Sequence, residues 1–435
     1  MIPILIPIGA LLAGIALLLL GTGLLNTLLA LRGGLEGFGD TVLGLIGSSY
    51  FAGFFIGTLI APRLIRHMGH VRAFAFFAAA ITACALLHAL IVDAVFWIVL
   101  RVLTGVALVG FYTVIESWLN SESPAARRGQ VFAVYMAINL LALAGAQQFL
   151  HLASPADFTL FAVAAIFVCI ALMPVVATRL PPPALVDTPR LSLGRVWSAA
   201  PAAVVGAVCS GLAMGAFWGL GAVYAGRMGL APGAVATFIT VTILAGAVLQ
   251  WPIGRLSDRL DRRLALAVVC ALAAAGGLLM AILGGLGLPL TVGAVLFGGA
   301  AFAVYPVVVA HLIDHLRHEE ILPGNAALLM LHGVAAAFGP ALAGMAMSGL
   351  GALAFPLYLA AMLTPAALFA LYQSRHGRDE IVEEAAHFVP MLRTSPTALE
   401  MMAADAAGDG PAPDADAAAT PTTATQPLQA GSRAA

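Results

Sequence analysis

Long apolar runs broken by short clusters of Gly, Pro and Arg organise this chain. Residues 4–20 and 160–176, for example, carry no charge at all. A helix needs roughly 20 mostly apolar residues to cross the hydrocarbon of a bilayer. Read by that rule, the pattern predicts twelve spanning helices, near residues 4–31, 39–62, 73–92, 95–117, 129–151, 157–178, 198–224, 231–253, 264–285, 288–313, 324–349 and 351–373. Turn-forming residues separate them, among them Gly33-Gly34, Pro124, Ser154-Pro155, Pro232-Gly233 and Pro323-Gly324. The first run has no basic residues ahead of it and is too long for a signal peptide, so it is expected to stay as a span.

Composition agrees with the pattern. Of 435 residues, 61% are hydrophobic and 9% charged, and the mean hydropathy is +1.01. Soluble domains carry about a quarter charged residues. A net charge of −1 gives no nucleic-acid footprint, and no such partner is expected. Cys84, Cys169, Cys209 and Cys270 all fall in apolar segments without CxxC or Cys/His spacing, so neither a disulfide framework nor a metal site is expected.

Charge placement predicts orientation. Every basic residue is an arginine. With the first residue in the cytoplasm, the cytoplasmic loops and tail collect Arg63, Arg66, Arg72, Arg127, Arg128, Arg179, Arg190, Arg195, Arg255, Arg259, Arg262, Arg263, Arg317, Arg375, Arg378, Arg393 and Arg433. The outside receives only Arg32 and Arg227, and Arg101 lies within a span. Basic residues concentrate on the cytoplasmic side of membrane proteins. Both termini are therefore expected in the cytoplasm, with the chain a multi-pass protein of a bacterial inner membrane.

The stretch from Arg179 to Trp197 holds Pro181-Pro182-Pro183 and Pro189, and reads as a linker. It divides the chain into a first six-helix half (1–180), a linker (181–197), a second half (198–375) and a tail (376–435). From about residue 394 the tail is rich in Ala, Asp, Pro and Thr and is expected to be disordered. The loops after the second and eighth helices match at an offset of 192 residues: 62–71 reads PRLIRHMGHV, and 254–263 reads GRLSDRLDRR. Matched loops suggest a duplicated six-helix unit.

These residues carry a resemblance. Gly254 to Arg263 is similar to the loop signature G-x-x-x-D-R-x-G-R-R of the major facilitator superfamily, with Asp261 where the second glycine is usual. Arg101 to Gly105 resembles that family's R-x-x-x-G motif on the fourth helix. Leu25-Asn26-Thr27, Ser48-Ser49-Tyr50-Phe51, Glu116-Ser117, Arg128-Gly129, Gln250 to Arg255, Tyr305-Pro306 and Gly339-Pro340 look like the YcaD-like branch of bacterial permeases. The resemblance spans about residues 5–375 and implies an all-α membrane fold of two pseudo-symmetric halves that work by alternating access. Two departures stand out. Arg66 occupies the place of the signature's acidic residue in the first loop copy, and the fifth helix lacks the glycine-proline pattern of drug/proton antiporters. A related pattern, Gly333 through Gly339-Pro340 to Gly344, lies on the eleventh helix instead.

Polar residues inside spans are the candidates for function, because they are costly in lipid unless they face a partner or a cavity. Asn26, Arg101, Asn139, Gln147, Trp218, Tyr305 and His332 are read as cavity residues; Arg101 either bonds a polar group on the first helix, such as Asn26, or snorkels to the outer surface. Glu116, His311 and Asp314 are coupling candidates, though Glu116 also suits an interfacial ion pair with Arg127 or Arg128. Gly254, Arg255, Asp258, Arg259, Arg262 and Arg263, with Arg66 and Gly69 in the first copy, are read as a gating loop. Tyr224 reads as part of an interfacial aromatic belt, and Gly211, Gly215 and Gly219 as a packing stripe. No P-loop, HExxH or GxSxG in a fitting context is present, so neither an enzyme nor a cofactor is expected. The expected partners are a small solute, protons and lipid, and the expected state is a monomer. The alternative reading is a membrane sensor or scaffold that acts through its tail.

Overall fold

The computed structural model describes residues 2–124, 127–177, 183, 191–376, 388–389 and 391, with side chains from residue 8 onward. The predicted disorder from residue 394, together with Arg179, Arg190, Arg378, Arg393 and Arg433, lies outside the described residues. The helices are α1 (Ile2–Leu35), α2 (Asp40–Met68), α3 (His70–Leu90), α4 (Ala94–Glu122), α5 (Arg128–Gln148), α6 (Thr159–Ile170), α7 (Leu172–Val176) and α8 (Leu193–Ala199). They continue as α9 (Pro201–Arg227), α10 (Pro232–Ser257), α11 (Arg262–Gly285), α12 (Thr291–Ile313), α13 (His318–Leu350) and α14 (Ala354–His376). Twelve segments are long and apolar enough to cross a membrane, α6 and α7 together making the sixth. No strand occurs among the described residues.

Several boundaries differ from the sequence reading: α1 runs to Leu35 through Gly33-Gly34, expected as a turn, α4 runs on to Glu122, and three more helices continue through proline. α2 runs through Pro62 to Met68, and α10 through Pro252 to Ser257. α13 begins at His318, so Pro323-Gly324 lies inside the helix and not in a turn. Proline is tolerated inside membrane helices because neighbouring groups satisfy the freed carbonyl. α2 ends at Gly69, whose φ of +80° favours glycine, and α3 starts at the next residue. α8 falls mostly in the stretch read as a linker and is set off from α9 at Ala200, and Arg195 of α8 pairs with Glu320 of α13 at 2.8 Å.

Close backbone approach fixes the packing. A methyl on Gly105 would run into the Tyr50 carbonyl oxygen, and one on Gly53 into that of Val102. α2 and α4 therefore cross with almost nothing between them. The α9 stripe works likewise: a Cβ on Gly211 would meet the His332 carbonyl of α13 at 2.5 Å, one on Gly215 would collide with the Ala336 carbonyl, and Gly219 packs on Pro340. Small residues serve this purpose in membranes, where lipid offers no hydrophobic drive for helices to associate. Tyr224 is a correction. It is wholly buried, stacked on Phe355 with centroids 5.1 Å apart, and does not lie in a belt.

The first six and last six spans meet toward the arginine-poor end of the bundle. There Arg227 pairs with Asp40 at 2.9 Å, Thr41 and Ser348 hydroxyls lie 2.8 Å apart, and Ser48 accepts from the Ala341 backbone at 3.0 Å. Gly44 and Gly47 of α2 pack directly against Pro340 of α13. Gln148 of α5 donates to Thr240 of α10 at 2.9 Å at the same end.

Candidate functional site

Two adjoining chambers lie where the halves meet. The first, of about 60 Å³, is lined by α1, α2, α4 and α5 with Trp218 of α9. At about 10–15 Å³ for each water-sized probe, it holds roughly four waters or a small polar group. Arg101 is 4% exposed and lines this chamber. It donates to Asn26 Oδ1 at 2.7 Å, and its guanidinium sits 4.3 Å from the centre of the Tyr50 ring. Gly105, one turn along α4, and Gly53, beside Tyr50 on α2, allow the approach that brings ring and cation together.

Asn26 is a connector. Its Nδ2 donates at 2.7 Å to the Trp218 carbonyl oxygen, so one amide joins the α4 cation to the backbone of the other half. Gln147 is held by Thr27, which donates to its Oε1 at 2.7 Å, and by the Leu143 carbonyl at 3.1 Å. Asn139, also lining the chamber, is 2% exposed, and its Oδ1 has no hydrogen-bond partner among the described atoms.

Glu116 departs from the interfacial ion-pair reading. It is fully buried, and the equally buried Tyr135 donates to its Oε1 at 2.7 Å. Asn139 stands one turn beyond Tyr135 on α5 and within hydrogen-bond reach of its hydroxyl. A polar path therefore runs from the first chamber through Asn139 and Tyr135 to Glu116. Fifteen residues separate Glu116 from Arg101, about 22 Å on a helix, so the two charges act apart.

The second chamber, of about 40 Å³, lies between Phe51 of α2 and Trp218, Phe302, Tyr305, His332 and Ala336 of the other half. The Tyr305 and His332 rings lie 4.5 Å apart. His332 Nδ1 lies 3.1 Å from Ser210 Oγ and 3.2 Å from the Ala207 carbonyl oxygen. The Tyr305 hydroxyl is buried and has no partner among the described atoms. Met391, from the segment after α14, also lines this chamber.

The remaining predicted residues lie elsewhere. Glu116, His311 and Asp314 line neither chamber. Asp314 is 3% exposed and accepts from Arg262 Nε at 3.1 Å, while Arg262 Nη1 also donates to Asp258 and Ser257 at 2.9 and 3.1 Å. His311 is buried, and its ring lies 4.7 Å from that of His315. Asp261, where the signature usually has glycine, caps α11 by accepting from the Arg263 and Leu264 amides at 2.7 and 3.2 Å. Arg255 lies 3.5 Å over the Trp251 ring, Arg263 donates to the Gln373 carbonyl at 3.0 Å, and Arg66 is exposed. These bonds brace α10, α11, α12 and α14 within the second half. Sequence reasoning passed over Tyr50 as a site residue, Tyr135 and Met391. Only Tyr50, within the Ser48-to-Phe51 stretch that carries the resemblance, left a signal there.

A twelve-span helical bundle with polar chambers between its halves has the architecture of a membrane transporter. The Major Facilitator Superfamily profile matches residues 11–321 and 203–404, and the chain belongs to that family. It is similar to an MFS-type transporter of Yersinia enterocolitica, 28% identical over 348 residues, covering 78% of this chain and 89% of the relative. It is also similar to the MFS-type transporter YcaD of Escherichia fergusonii, 27% identical over 343 residues with the same coverage of 78% and 89%. Two solved structures share the fold. A bacterial homolog of the human lysosomal transporter Spinster, inward-facing and occupied, superposes with a TM-score of 0.69 at 15% identity, covering 85% of this chain and 96% of that one. The nucleoside transporter NupG superposes with a TM-score of 0.68 at 11% identity, covering 85% and 99%.

Proposed function

We propose that this transporter carries a small solute bearing an anionic or hydrogen-bond-accepting group, by alternating access and coupled to protons. The observation that carries the reading is the Arg101–Asn26–Trp218 link. A buried cation faces a chamber and is tied, through one amide, to the half that must move. A solute group that bonds Arg101 or Asn26 competes with the tie between the halves. Binding is thereby coupled to their separation at the arginine-poor end, because a ligand shifts an equilibrium only by its differential contacts with the two states.

Positive-inside placement puts the arginine-rich end in the cytoplasm of a bacterial cell. The arrangement described, packed at the opposite end, is then the inward-facing one. Protons enter through Glu116. A carboxyl buried beside a tyrosine can take up a proton and alter how α4 and α5 pack, and Asn139 links that pair to the solute chamber.

The first test is a thermal-shift screen of the purified protein against libraries of small organic anions and neutral polar solutes, since a ligand stabilises the state it binds. Uptake of a hit into proteoliposomes then follows, with and without an imposed pH gradient. A pH gradient should accelerate transport, and both Glu116→Gln and Tyr135→Phe should remove that acceleration while the hit still binds. Full acceleration in Glu116→Gln would end the coupling role. A hit that binds but is never translocated under any gradient would end the transport reading.

A further inference from the structure

Three residues after α14 return to the bundle. Phe388 donates its backbone N–H to Asp258 Oδ1 at 3.0 Å. Its ring lies so close on Gly254 that any side chain there would collide with it. Met391 is 3% exposed and lines the second chamber with Phe51, Trp218, Tyr305 and His332. Phe388 thus sits at the arginine-rich end of α10, and Met391 reaches the cavity between the halves.

This placement has a consequence for transport. The chamber that Met391 lines has apolar walls and two polar features, the unpartnered Tyr305 hydroxyl and the His332 ring. A flexible thioether fills irregular apolar gaps well. Phe51 belongs to the first half and the other walls to the second, so a side chain lodged between them also opposes their closure at that end. We propose that Phe388 and Met391 form a tethered plug: Phe388 clips onto Gly254 and Asp258, and Met391 occupies the subsite that takes the nonpolar part of the solute. The solute then has two parts, a polar group for the Arg101 chamber and an apolar group of about methionine size for this one. Tail and solute exclude one another, and Asp258 serves as the dock of the plug as well as a brace for Arg262. The solute half of this inference rests on the transport reading; the plug itself does not.

Chamber access tests the plug without any solute. In a protein with Cys84, Cys169, Cys209 and Cys270 replaced by alanine, Met214→Cys places one thiol on the wall of the second chamber. Its rate of modification by a small cationic methanethiosulfonate in detergent reports how often the chamber is open. Burial of a methionine side chain corresponds to about tenfold or more in occupancy. Adding Met391→Ala or Phe388→Ala should therefore raise the rate by about tenfold. Deletion of residues 377–435 should do the same, and a synthetic peptide of residues 384–395 should restore protection where a scrambled peptide does not. Equal rates in the intact chain, the point variants and the deletion would overturn the plug. If one variant fails to fold, the remaining ones and the peptide decide. For a solute found by the thermal-shift screen, removal of the plug should lower KM and leave kcat unchanged. An unchanged KM beside faster labelling would sink the shared subsite and leave the plug standing.

Discussion

At the residue scale, Arg101 shows how a charge survives within a span. Its guanidinium keeps its proton at any physiological pH, so it must be solvated by its neighbours. Asn26 Oδ1 at 2.7 Å and the Tyr50 face at 4.3 Å provide that solvation and leave the cation on a chamber wall. Hydrogen bonds to charged groups contribute about 1.5–3 kcal/mol. Arg101→Ala should accordingly weaken binding of an anionic hit by about ten- to hundredfold, read as loss of ligand-induced thermal stabilisation. Arg101→Lys should recover only part of it, because an ammonium lacks the planar fork. Unchanged affinity in the alanine variant would remove Arg101 from the site. The choice of Asn26 as its partner was legible in the sequence, since a cation in a span calls for an oxygen on a neighbouring helix. Tyr135 was not legible as the partner of Glu116. That pairing depends on how α5 is rotated against α4, and no local pattern encodes that angle.

At the element scale, glycine sets which helices touch. Gly105 and Gly53 bring α2 and α4 together and so seat the Tyr50 ring beneath Arg101. Gly105→Val should push the helices apart, with a cost of about 1–3 kcal/mol from overpacking. The expected readout is a lower Tm together with weaker binding of an anionic solute, because the seat of Arg101 moves with the helix. An unaltered Tm would mean that α2 yields easily and that the crossing does not position the site. The loop at 254–263 shows the limit of a motif. Its charges are read as a gate, and in the arrangement described Arg262 bonds Ser257, Asp258 and Asp314. The motif located the loop correctly between two spans, but its partners depend on which helix ends lie within reach after folding. Pro323-Gly324 reads as a turn in the sequence, while the helix starts at His318 and runs straight through it.

At the scale of the whole molecule, the halves are fastened at one end. The Thr41 and Ser348 hydroxyls, 2.8 Å apart, sit on helices from opposite halves. With the native cysteines replaced, Thr41→Cys with Ser348→Cys should form a disulfide on mild oxidation and hold that end shut. Transport of a hit should stop on oxidation and return on reduction, while binding from the arginine-rich end persists. Undiminished transport by the cross-linked protein would mean that the halves need not part there. Alternating access would then fail for this chain.

The sequence by itself determined the number of spans, the predicted side for each loop and the existence of two related halves. Those follow from the cost of placing charge and free backbone in hydrocarbon, which every residue registers locally. Tertiary structure alone decided which end of the bundle is closed, which polar side chains share a chamber, and that a methionine near position 390 returns to the space between the halves. Such contacts join residues far apart in the chain, 75 positions for Asn26 with Arg101 and 307 for Thr41 with Ser348. They depend on helix rotation and depth, quantities that emerge only when all the helices pack together.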